Sequence, residues 1–291
     1  MFQGSMVALV TPMTASGEID TEALARLIEF HIENGSDALV PAGTTGESPT
    51  LKTDEHRDYL AEVVRLVRGR VPVIAGTGSN STAQTLHLTQ EAVKVGVDGC
   101  LLVVPYYNRP PQEGLYRHFR AIAEAAEAPM ILYNVPSRTS CDLLPETVAR
   151  LARVPNIVGI KEATGDVSRV QTLRQSCGDD FGLYSGDDAT SMEFVLAGGD
   201  GTVSVTANVA PKLMREMIAA ARAGDRAQTE SLDSQLRPLH KALFVETNPI
   251  PVKWALAQMN LIGDGIRLPL VPLSDAAQPA VRTALQHAGC L

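Results

Sequence analysis

The sequence lacks any hydrophobic run that approaches the ~20 apolar residues needed to span a membrane. Its first residues, MFQGSMVALVTPM, also lack the basic start and the apolar stretch of a signal peptide. We therefore expect this segment to form the first strand of the mature fold. Both absences favour a cytoplasmic protein without a membrane partner.

Residues that bind metals or form disulfides are few and scattered. The six histidines fall mostly in helical patterns and form neither a His-x-His nor an HExxH motif, so we predict no metal site. His56 is interpreted as a packing or surface residue rather than as a ligand. The cysteines include no close pair at metal-ligand or redox spacing, and we expect them to be reduced and structural. They are Cys100, Cys141, Cys177 and Cys290.

Clusters of positive charge and nucleotide-binding motifs are also missing. The formal net charge is -8 and no basic patch stands out, whereas nucleic-acid binding needs clustered Lys and Arg. No Gly-rich dinucleotide fingerprint follows the first apolar run, and no phosphate loop of the Gly-x4-Gly-Lys-Ser/Thr type occurs. Ser185 and Ser204 lack a recognisable His–Asp partnership, which argues against serine hydrolase chemistry. We predict no nucleic-acid partner and no cofactor.

The sequence does contain a regular alternation of short apolar, β-branched runs with longer helical patterns over its first 210 residues. The helical segments carry apolar residues at i, i+3, i+4 and i+7. The short runs are bounded by Gly, Pro, Asn or Asp, which is typical of strands. The eight predicted strands are Met6–Val10, Ala38–Pro41, Val71–Ala75, Cys100–Val104, Met130–Tyr133, Ile157–Ile160, Gly182–Tyr184 and Gly201–Val205.

Eight strands that alternate with helices predict parallel βα units, and wholly apolar strands fit a sheet that is buried on both faces. The number of strands favours a closed (β/α)8 TIM barrel, with an open doubly wound sheet as the alternative. We assign residues 1–224 to the barrel and residues 225–291 to a C-terminal helical region. The helices predicted around this boundary are Pro211–Ala223, Arg226–Phe244 and Pro251–Met259.

Polar residues of chemical interest follow the carboxyl ends of five predicted strands, which is where the active sites of barrel enzymes lie. Because these strand ends meet at one mouth, we expect the side chains to converge there. They are Thr44 and Thr45 in GTTGES (43–48), Tyr106 and Tyr107 in PYYNRP (105–110), Tyr133 and Arg138 in YNVPSRT (133–139), Lys161 in GIKEATGD (159–166), and Gly186 and Asp187 in SGDDAT (185–190).

Lys161 is the most informative of these residues. The chain has only six lysines, and Lys161 alone directly ends an apolar strand. Burial at that position would lower the pKa of its amine, because burial disfavours the ammonium form. A neutral amine attacks a carbonyl to form a Schiff base. The structural alternative is an ion pair with a carboxylate such as the adjacent Glu162.

The neighbours of Lys161 at this mouth allow both functional and structural interpretations. Tyr133 is either a core tyrosine or a phenol that relays protons during carbinolamine formation and dehydration. Thr44 and Thr45 either extend such a relay and bind a carboxylate, or cap turns and helices. Arg138 either offers its planar guanidinium to a carboxylate substrate or is a solvated loop cation.

The motifs GTTGES, YNVPSRT and GIKEATGD, in this order and on these strands, resemble the pyruvate-dependent class I aldolase superfamily. Within it the sequence is most similar to the family of dihydrodipicolinate synthases. The similarity extends through AGTGSNST (75–82), PYYNRPPQEGLY (105–116), SVTANVAP (204–211) and FVETNPIPVKWAL (244–256). It covers essentially the whole chain, and several motifs of six or more residues with the correct spacing make it specific.

This resemblance implies a (β/α)8 barrel with a C-terminal helical region. It also implies condensation of pyruvate with aspartate-4-semialdehyde on the diaminopimelate route to lysine. Lys161 would form the Schiff base with pyruvate. Tyr133 would relay protons together with Thr44 and with Tyr107, which in this family reaches into the neighbouring subunit's site. A homotetramer built as a dimer of dimers is the common state of the family.

The resemblance further implies substrate-binding roles and leaves two alternatives. Thr45 would hold the pyruvate carboxylate, Gly186 and Val203 would line the pocket through the backbone, and Arg138 would hold the semialdehyde carboxylate. Because the lyases that cleave sugar acids usually lack this arginine, it is the best discriminator within the superfamily. The alternatives are a related pyruvate-dependent aldolase that acts on a sugar acid or 2-oxo acid, and a non-catalytic barrel that senses a keto acid.

Many members of the family are inhibited by lysine in a pocket at a dimer interface. Two positions depart from the pattern of the sensitive members. Thr53 stands where a histidine is common, and Gln84 stands where a glutamate is frequent. A neutral amide in place of a carboxylate removes a charge-assisted hydrogen bond to a cationic ligand, so we expect weak or absent inhibition. The possible effector site comprises Ser48, His56, Asn80, Gln84 and Tyr106.

Overall fold

Parallel strands form the centre of the structure, a computed structural model that describes residues 2–291. Within these residues there are eight strands in one sheet, ordered β2-β1-β8-β7-β6-β5-β4-β3. A parallel bridge between Leu39 and Val73 joins the two ends of the sheet and completes a barrel. The strands are β1 (Gly4–Ala8), β2 (Ala38–Val40), β3 (Ile74–Gly76), β4 (Gly99–Val103), β5 (Met130–Asn134), β6 (Ile157–Glu162), β7 (Gly182–Ser185) and β8 (Gly201–Ser204).

Helices connect successive strands and cover the outside of the barrel. Some of them begin with a side-chain cap: the Asp20 carboxylate accepts a hydrogen bond from the backbone N–H of Ala23 at 2.9 Å, which satisfies one of the free donors of the first turn. The barrel helices are α1 (Thr21–Glu33), α2 (Thr53–Val67), α3 (Thr82–Lys94), α4 (Gln112–Ala125), α5 (Pro136–Thr139), α6 (Pro145–Leu151), α7 (Arg169–Cys177), α8 (Ser191–Leu196) and α9 (Pro211–Arg222). No helix within residues 2–291 combines the length and apolar composition that a membrane crossing requires.

Three more helices follow a turn at Gly224. They are α10 (Arg226–Ala242), α11 (Ile250–Gln258) and α12 (Gln278–His287). Helix α10 packs against α8 and α9, and α12 packs against α10 and α11. The segment between α10 and α11 returns to the mouth of the barrel, where it forms one wall of the site described below.

The predicted (β/α)8 barrel is confirmed, and the open sheet is wrong, because the Leu39–Val73 bridge joins β2 to the start of β3, the two ends of the strand order. The third strand begins at Ile74 rather than at Val71. Pro72 has no backbone N–H to donate to a ladder, so regular pairing starts only beyond it. The short α5 and the C-terminal α12 were not predicted. Helix α12 buries only Val281, Ala284 and Leu285, which gives a weak apolar stripe in the sequence.

Side chains of the strands alternate between two apolar layers. One layer fills the inside of the barrel and includes Met6, Val40 and Tyr184. The other lies between the strands and the surrounding helices and includes Leu39 and Ile160. This alternation decides which residues at the strand ends face the barrel axis, and it therefore sets the composition of the site.

Candidate active site

A cavity of about 610 Å³ opens at the carboxyl ends of the strands. Its walls come from the ends of the strands and from the C-terminal segment 244–248, so residues distant in the sequence share one space. The lining includes most of the residues that the sequence singled out at the strand ends, namely Thr44, Thr45, Tyr133, Arg138, Lys161, Gly186 and Asp187.

Lys161 lies in this cavity with only 6% of its surface exposed. Its Nζ is 4.2 Å from the centroid of the Tyr133 ring, and it forms no ion pair within the described part of the chain. Burial lowers the pKa of its amine to about 8; the Asp188 carboxylate opposes this change and the Arg138 guanidinium adds to it. A neutral amine is therefore accessible near neutral pH, as a Schiff-base nucleophile requires.

Glu162 does not pair with Lys161, although the two residues are adjacent. Consecutive strand residues point to opposite faces, so Lys161 faces the cavity while Glu162 faces the helices. The Glu162 carboxylate accepts hydrogen bonds from the backbone of Thr164 at 2.8 Å and from Asn134 Nδ2 at 3.1 Å, and it lies 3.4 Å from Arg169 Nη1. These contacts stabilise the Glu162 carboxylate on the helix-facing side of β6. The amine of Lys161 is therefore not paired with Glu162.

Gly186 provides the space that the Lys161 side chain occupies. A Cβ atom added at Gly186 would lie 2.9 Å from Cε and 3.0 Å from Cγ of Lys161. Its backbone N–H donates to the Glu162 carbonyl at 2.8 Å, which fixes the chain close to the end of β6. Any larger residue here would displace the lysine.

Tyr133 and Thr44 line the cavity together with Lys161. Tyr133 is the last residue but one of β5 and is paired in the sheet with Lys161 of β6, and it is 6% exposed. Burial raises the pKa of its phenol, while the positive charge of Arg138 and a hydrogen bond with the Thr44 side chain lower it. The phenol therefore stays protonated near neutral pH, as a proton donor and relay must.

Thr45 and Arg138 are both held by the C-terminal segment. Asn248 donates a hydrogen bond from Nδ2 to Thr45 Oγ1 at 3.0 Å, and its carbonyl accepts one from Arg138 Nη2 at 3.4 Å. One residue beyond the barrel thus contacts the two groups expected to bind substrate carboxylates. Sequence reasoning missed this role, because no spacing rule links position 248 to positions 45 and 138.

A buried ion pair fixes the loop that carries Thr44 and Thr45. Glu47 adopts a left-handed backbone with φ of 56° and is 2% exposed. Its carboxylate pairs with Lys253 of α11 and accepts a hydrogen bond from the backbone of Arg267 at 3.1 Å. The left-handed conformation costs about 1–2 kcal/mol for a residue other than glycine, and the pairing with the C-terminal region offsets this cost.

Three of the predicted strand-end and substrate-binding residues lie outside the cavity, and one of them, Tyr106, lines an adjoining cavity instead. Val203 sits in the barrel interior, 2% exposed, and the residue that directly follows β8, Val205, lines the cavity instead. Tyr107 is 90% exposed and has a positive φ of 74°, so its side chain projects away from this chain. Among the described residues there is also no group of His, Cys, Asp or Glu that could hold a metal ion.

A second cavity of about 300 Å³ adjoins the first and shares Thr44, Val135 and Arg138 with it. Four of the predicted effector residues line it, while Asn80 lies outside the lining and accepts a hydrogen bond from Asn108 through its carbonyl. His56 is a buried residue whose Nε2 lies 2.8 Å from the Gly76 carbonyl. The four residues are Ser48, His56, Gln84 and Tyr106, and Thr53 lies beside them.

The chain resembles known proteins over its whole length. The dihydrodipicolinate synthetase family matches residues 1–288. The 4-hydroxy-tetrahydrodipicolinate synthase of Alcanivorax borkumensis is 60% identical over 291 residues, which are 100% of this chain and 99% of that protein. That of Methylococcus capsulatus is 59% identical over 291 residues, with 100% of both chains covered.

Solved structures agree with these relatives. The chloride-inhibited dihydrodipicolinate synthase of Acinetobacter baumannii, crystallised in complex with pyruvate, matches with a TM-score of 0.98 and 52% identity and covers 100% of both chains. The three relatives named are all synthases, and none is an aldolase that acts on a sugar acid. The fold, the sequence relatives and the residues that line the cavity therefore agree on the same family.

Proposed function

The chain belongs to the dihydrodipicolinate synthetase family, and on this premise we propose how its cavity condenses pyruvate with L-aspartate-4-semialdehyde. Its activity is that of a 4-hydroxy-tetrahydrodipicolinate synthase, a lyase of lysine biosynthesis. The observation that carries the proposed mechanism is the buried amine of Lys161, which faces the cavity without a carboxylate paired to it.

In the proposed reaction, the neutral amine of Lys161 attacks the keto carbon of pyruvate and forms a carbinolamine. Tyr133 supplies the proton with which the hydroxyl leaves as water, and a protonated Schiff base results. The positive nitrogen then acidifies the methyl group of pyruvate, and loss of a proton gives an enamine. The enamine carbon attacks the aldehyde of the second substrate and forms the new carbon–carbon bond.

Two groups at the mouth are suited to the carboxylates of the substrates. Thr45 lies deep, 3% exposed, and we assign it to the pyruvate carboxylate. Arg138 lines both the main cavity and its neighbour, and we assign it to the carboxylate of aspartate semialdehyde. The Asn248 contacts support both assignments, because they hold the hydroxyl and the guanidinium in fixed positions.

The proposed assembly is a homotetramer made of two dimers, in which Tyr107 enters the site of the neighbouring subunit. Tyr107 is 90% exposed and has a strained backbone, and both features support this proposal. Within a single chain, a strained conformation that exposes an aromatic ring has no stabilising effect. The proton relay would then consist of Tyr133 and Thr44 from one subunit and Tyr107 from the other. We place this enzyme in the cytoplasm, where the pathway's small substrates would be made.

Replacing Arg138 with alanine should lower kcat/KM for aspartate semialdehyde by about 10²- to 10³-fold, because two charge-assisted hydrogen bonds to its carboxylate are lost. The KM for pyruvate should change little. Steady-state assays in which each substrate is varied at saturating levels of the other would measure both values. The unsubstituted protein should turn over this aldehyde faster than it turns over a sugar acid.

Arg138→Lys is the matched control for this experiment. It keeps the positive charge but loses the planar fork, so its kcat/KM should fall between those of the wild type and of Arg138→Ala. Equal loss of kcat/KM for both substrates would contradict the assignment of Arg138 to the semialdehyde. Faster turnover of a sugar acid by the unsubstituted protein would contradict the synthase activity itself.

We expect L-lysine to inhibit this enzyme weakly or not at all. No carboxylate occurs among the described residues that line the second cavity, where Gln84 contributes only a neutral amide. Gln84→Glu should increase sensitivity about fivefold or more, because a charge-assisted hydrogen bond is about 1 kcal/mol stronger than a neutral one. Initial rates across a lysine titration would test this, and half-inhibition of the wild type at submillimolar lysine would refute it.

A further inference from the structure

The residues that directly follow Tyr133 and Lys161 form a second pair on the other face of the barrel wall. Tyr133 is paired in the sheet with Lys161, and Asn134 is paired with Glu162. Because consecutive strand residues point to opposite faces, the first pair faces the cavity and the second faces the helices. Asn134 is fully buried and Glu162 is 3% exposed. Any shift of the second pair therefore moves the first pair through the backbone.

Hydrogen bonds join the two members of this second pair and tie each of them to a loop. Asn134 Nδ2 donates to Glu162 Oε2 at 3.1 Å. Asn134 Oδ1 accepts a hydrogen bond from the backbone of Leu143 at 2.9 Å. Glu162 Oε1 accepts one from the backbone of Thr164 at 2.8 Å. These bonds fix the ends of β5 and β6 relative to each other.

Arg169, the first residue of α7, completes the network from the helix side. Its guanidinium forms a bidentate pair with Asp142, with Nη1 2.8 Å from Oδ1 and Nη2 2.6 Å from Oδ2. Nη1 also lies 3.4 Å from Glu162 Oε2. Asn134 Nδ2 donates to Asp142 Oδ1 at 2.8 Å. One planar cation thus bonds the loop between α5 and α6 and the end of β6 at the same time.

The two side chains that face the cavity depend on this support. Nζ of Lys161 lies 4.2 Å from the centroid of the Tyr133 ring, a contact that sets a distance but no direction. A proton donor must lie within hydrogen-bond reach of the group that receives its proton, here on the carbon that the amine attacks. Because a misplacement of about 1 Å can cost 10²-fold in rate, the alignment of β5 with β6 affects the reaction directly.

Stability alone does not account for the charges of this network. Replacing a buried ion pair with well-packed apolar side chains is often neutral or stabilising, because desolvation of the charges is costly. Charged hydrogen bonds nevertheless fix directions, and the planar fork of an arginine fixes two at once. We propose that Arg169 is a positioning residue that acts through Glu162 and Asn134 to align Lys161 with Tyr133. This inference rests on the proposed function.

The decisive experiment compares the full-length wild type with Arg169→Met, which keeps an apolar stem and loses the hydrogen bonds. Exhaustive labelling with pyruvate and sodium cyanoborohydride, read as a mass increment at Lys161, counts the sites able to form a Schiff base. Rapid mixing with pyruvate, stopped with borohydride, then gives the rate of Schiff-base formation per labelled site. We expect this rate to fall about 10²-fold in Arg169→Met, and kcat with it.

This readout separates positioning from loss of folded protein. Partial unfolding lowers the number of labelled sites but leaves the rate at each remaining site unchanged. A wild-type rate per site in Arg169→Met would therefore overturn the proposal. Arg169→Lys keeps the positive charge and loses the planar fork, so its rate per site should lie between those of the wild type and of Arg169→Met.

Arg174→Met is the matched control, because Arg174 lies on the same helix and forms a similar network at the amino ends of the strands. It donates to the Asp200 carboxylate at 2.7 Å and to the Phe181 carbonyl at 2.9 Å. Its side chain is 22% exposed, against 17% for Arg169. Thermal melts should show a comparable loss of stability, with the wild-type rate per site retained. An equal fall of this rate in Arg174→Met would overturn the proposal.

A second variant keeps the test decisive if Arg169→Met does not fold. Asp142→Asn weakens the same pair from its more exposed partner, whose side chain is 32% exposed, and should lower the rate per site about tenfold. An unchanged rate in this variant would overturn the proposal. Absence of labelling at Lys161 in the wild type would refute the proposed function rather than this inference, so the two failures are distinguishable.

Discussion

Replacing Lys161 with alanine is expected to lower kcat about 10³- to 10⁶-fold and to leave the barrel folded. The variant retains the cavity and its carboxylate-binding groups, but it has no amine to form the Schiff base. Loss of a nucleophile removes an entire covalent pathway, so no other single substitution in the site should cost more. Steady-state kinetics with pyruvate and aspartate semialdehyde, together with a thermal melt, would measure both effects.

Reduction of the wild type with borohydride in the presence of pyruvate should add an irreversible mass increment at Lys161. Lys253 provides an internal control, because it is also buried and burial also lowers the pKa of its amine. It is paired with Glu47 and does not line the cavity, so it should remain unlabelled. Labelling at Lys253 instead, or full activity in Lys161→Ala, would contradict the mechanism.

Much of this architecture is predictable from the sequence because it depends on local periodicity. Alternation of apolar runs and helical stripes indicated the barrel, and the strand ends indicated the mouth where polar residues converge. The position of Lys161 relative to Glu162 could also have been resolved in advance. Two consecutive strand residues point to opposite faces, and this rule alone separates the amine from the adjacent carboxylate.

Other parts of the site depend on contacts between residues distant in the sequence. The bond from Asn248 to Thr45 spans 203 positions, and the pair of Lys253 with Glu47 spans 206. No propensity or spacing rule connects such residues, since they meet only when the C-terminal helices return to the barrel mouth. The sequence therefore indicated a role for the FVETNP segment only through its resemblance to a known family.

These long-range contacts also connect the C-terminal region to the proposed active site. The helices α10–α12 contribute neither the proposed nucleophile nor the proposed proton donor, yet the segment between α10 and α11 holds the Thr45 hydroxyl and the Arg138 guanidinium at the mouth. Catalysis by positioning demands such support, because misplacing a binding group by about 1 Å can cost 10²-fold in rate. In the proposed mechanism the barrel supplies the reactive groups, and the C-terminal region fixes the positions of Thr45 and Arg138.

Tyr133→Phe should lower kcat about 10²- to 10⁴-fold, since the phenol is the proposed donor for carbinolamine dehydration. Phenylalanine keeps the ring that lies 4.2 Å from Lys161 Nζ, so the packing around the amine is preserved. Rapid-mixing experiments with pyruvate alone should show that Schiff-base formation itself becomes slow. Loss confined to the carbon–carbon bond-forming step would contradict this assignment.

Tyr184→Phe is the control that separates a lost hydroxyl from a lost proton relay. Tyr184 is another buried tyrosine of the barrel interior, and its hydroxyl donates to the Phe2 carbonyl at 2.7 Å rather than facing the cavity. Its removal should cost stability of about 1 kcal/mol, as for one hydrogen bond, and leave kcat within a few-fold of the wild type. Equal losses of kcat in the two variants would mean that Tyr133 acts through packing, whereas a loss only in Tyr133→Phe assigns the effect to its proton.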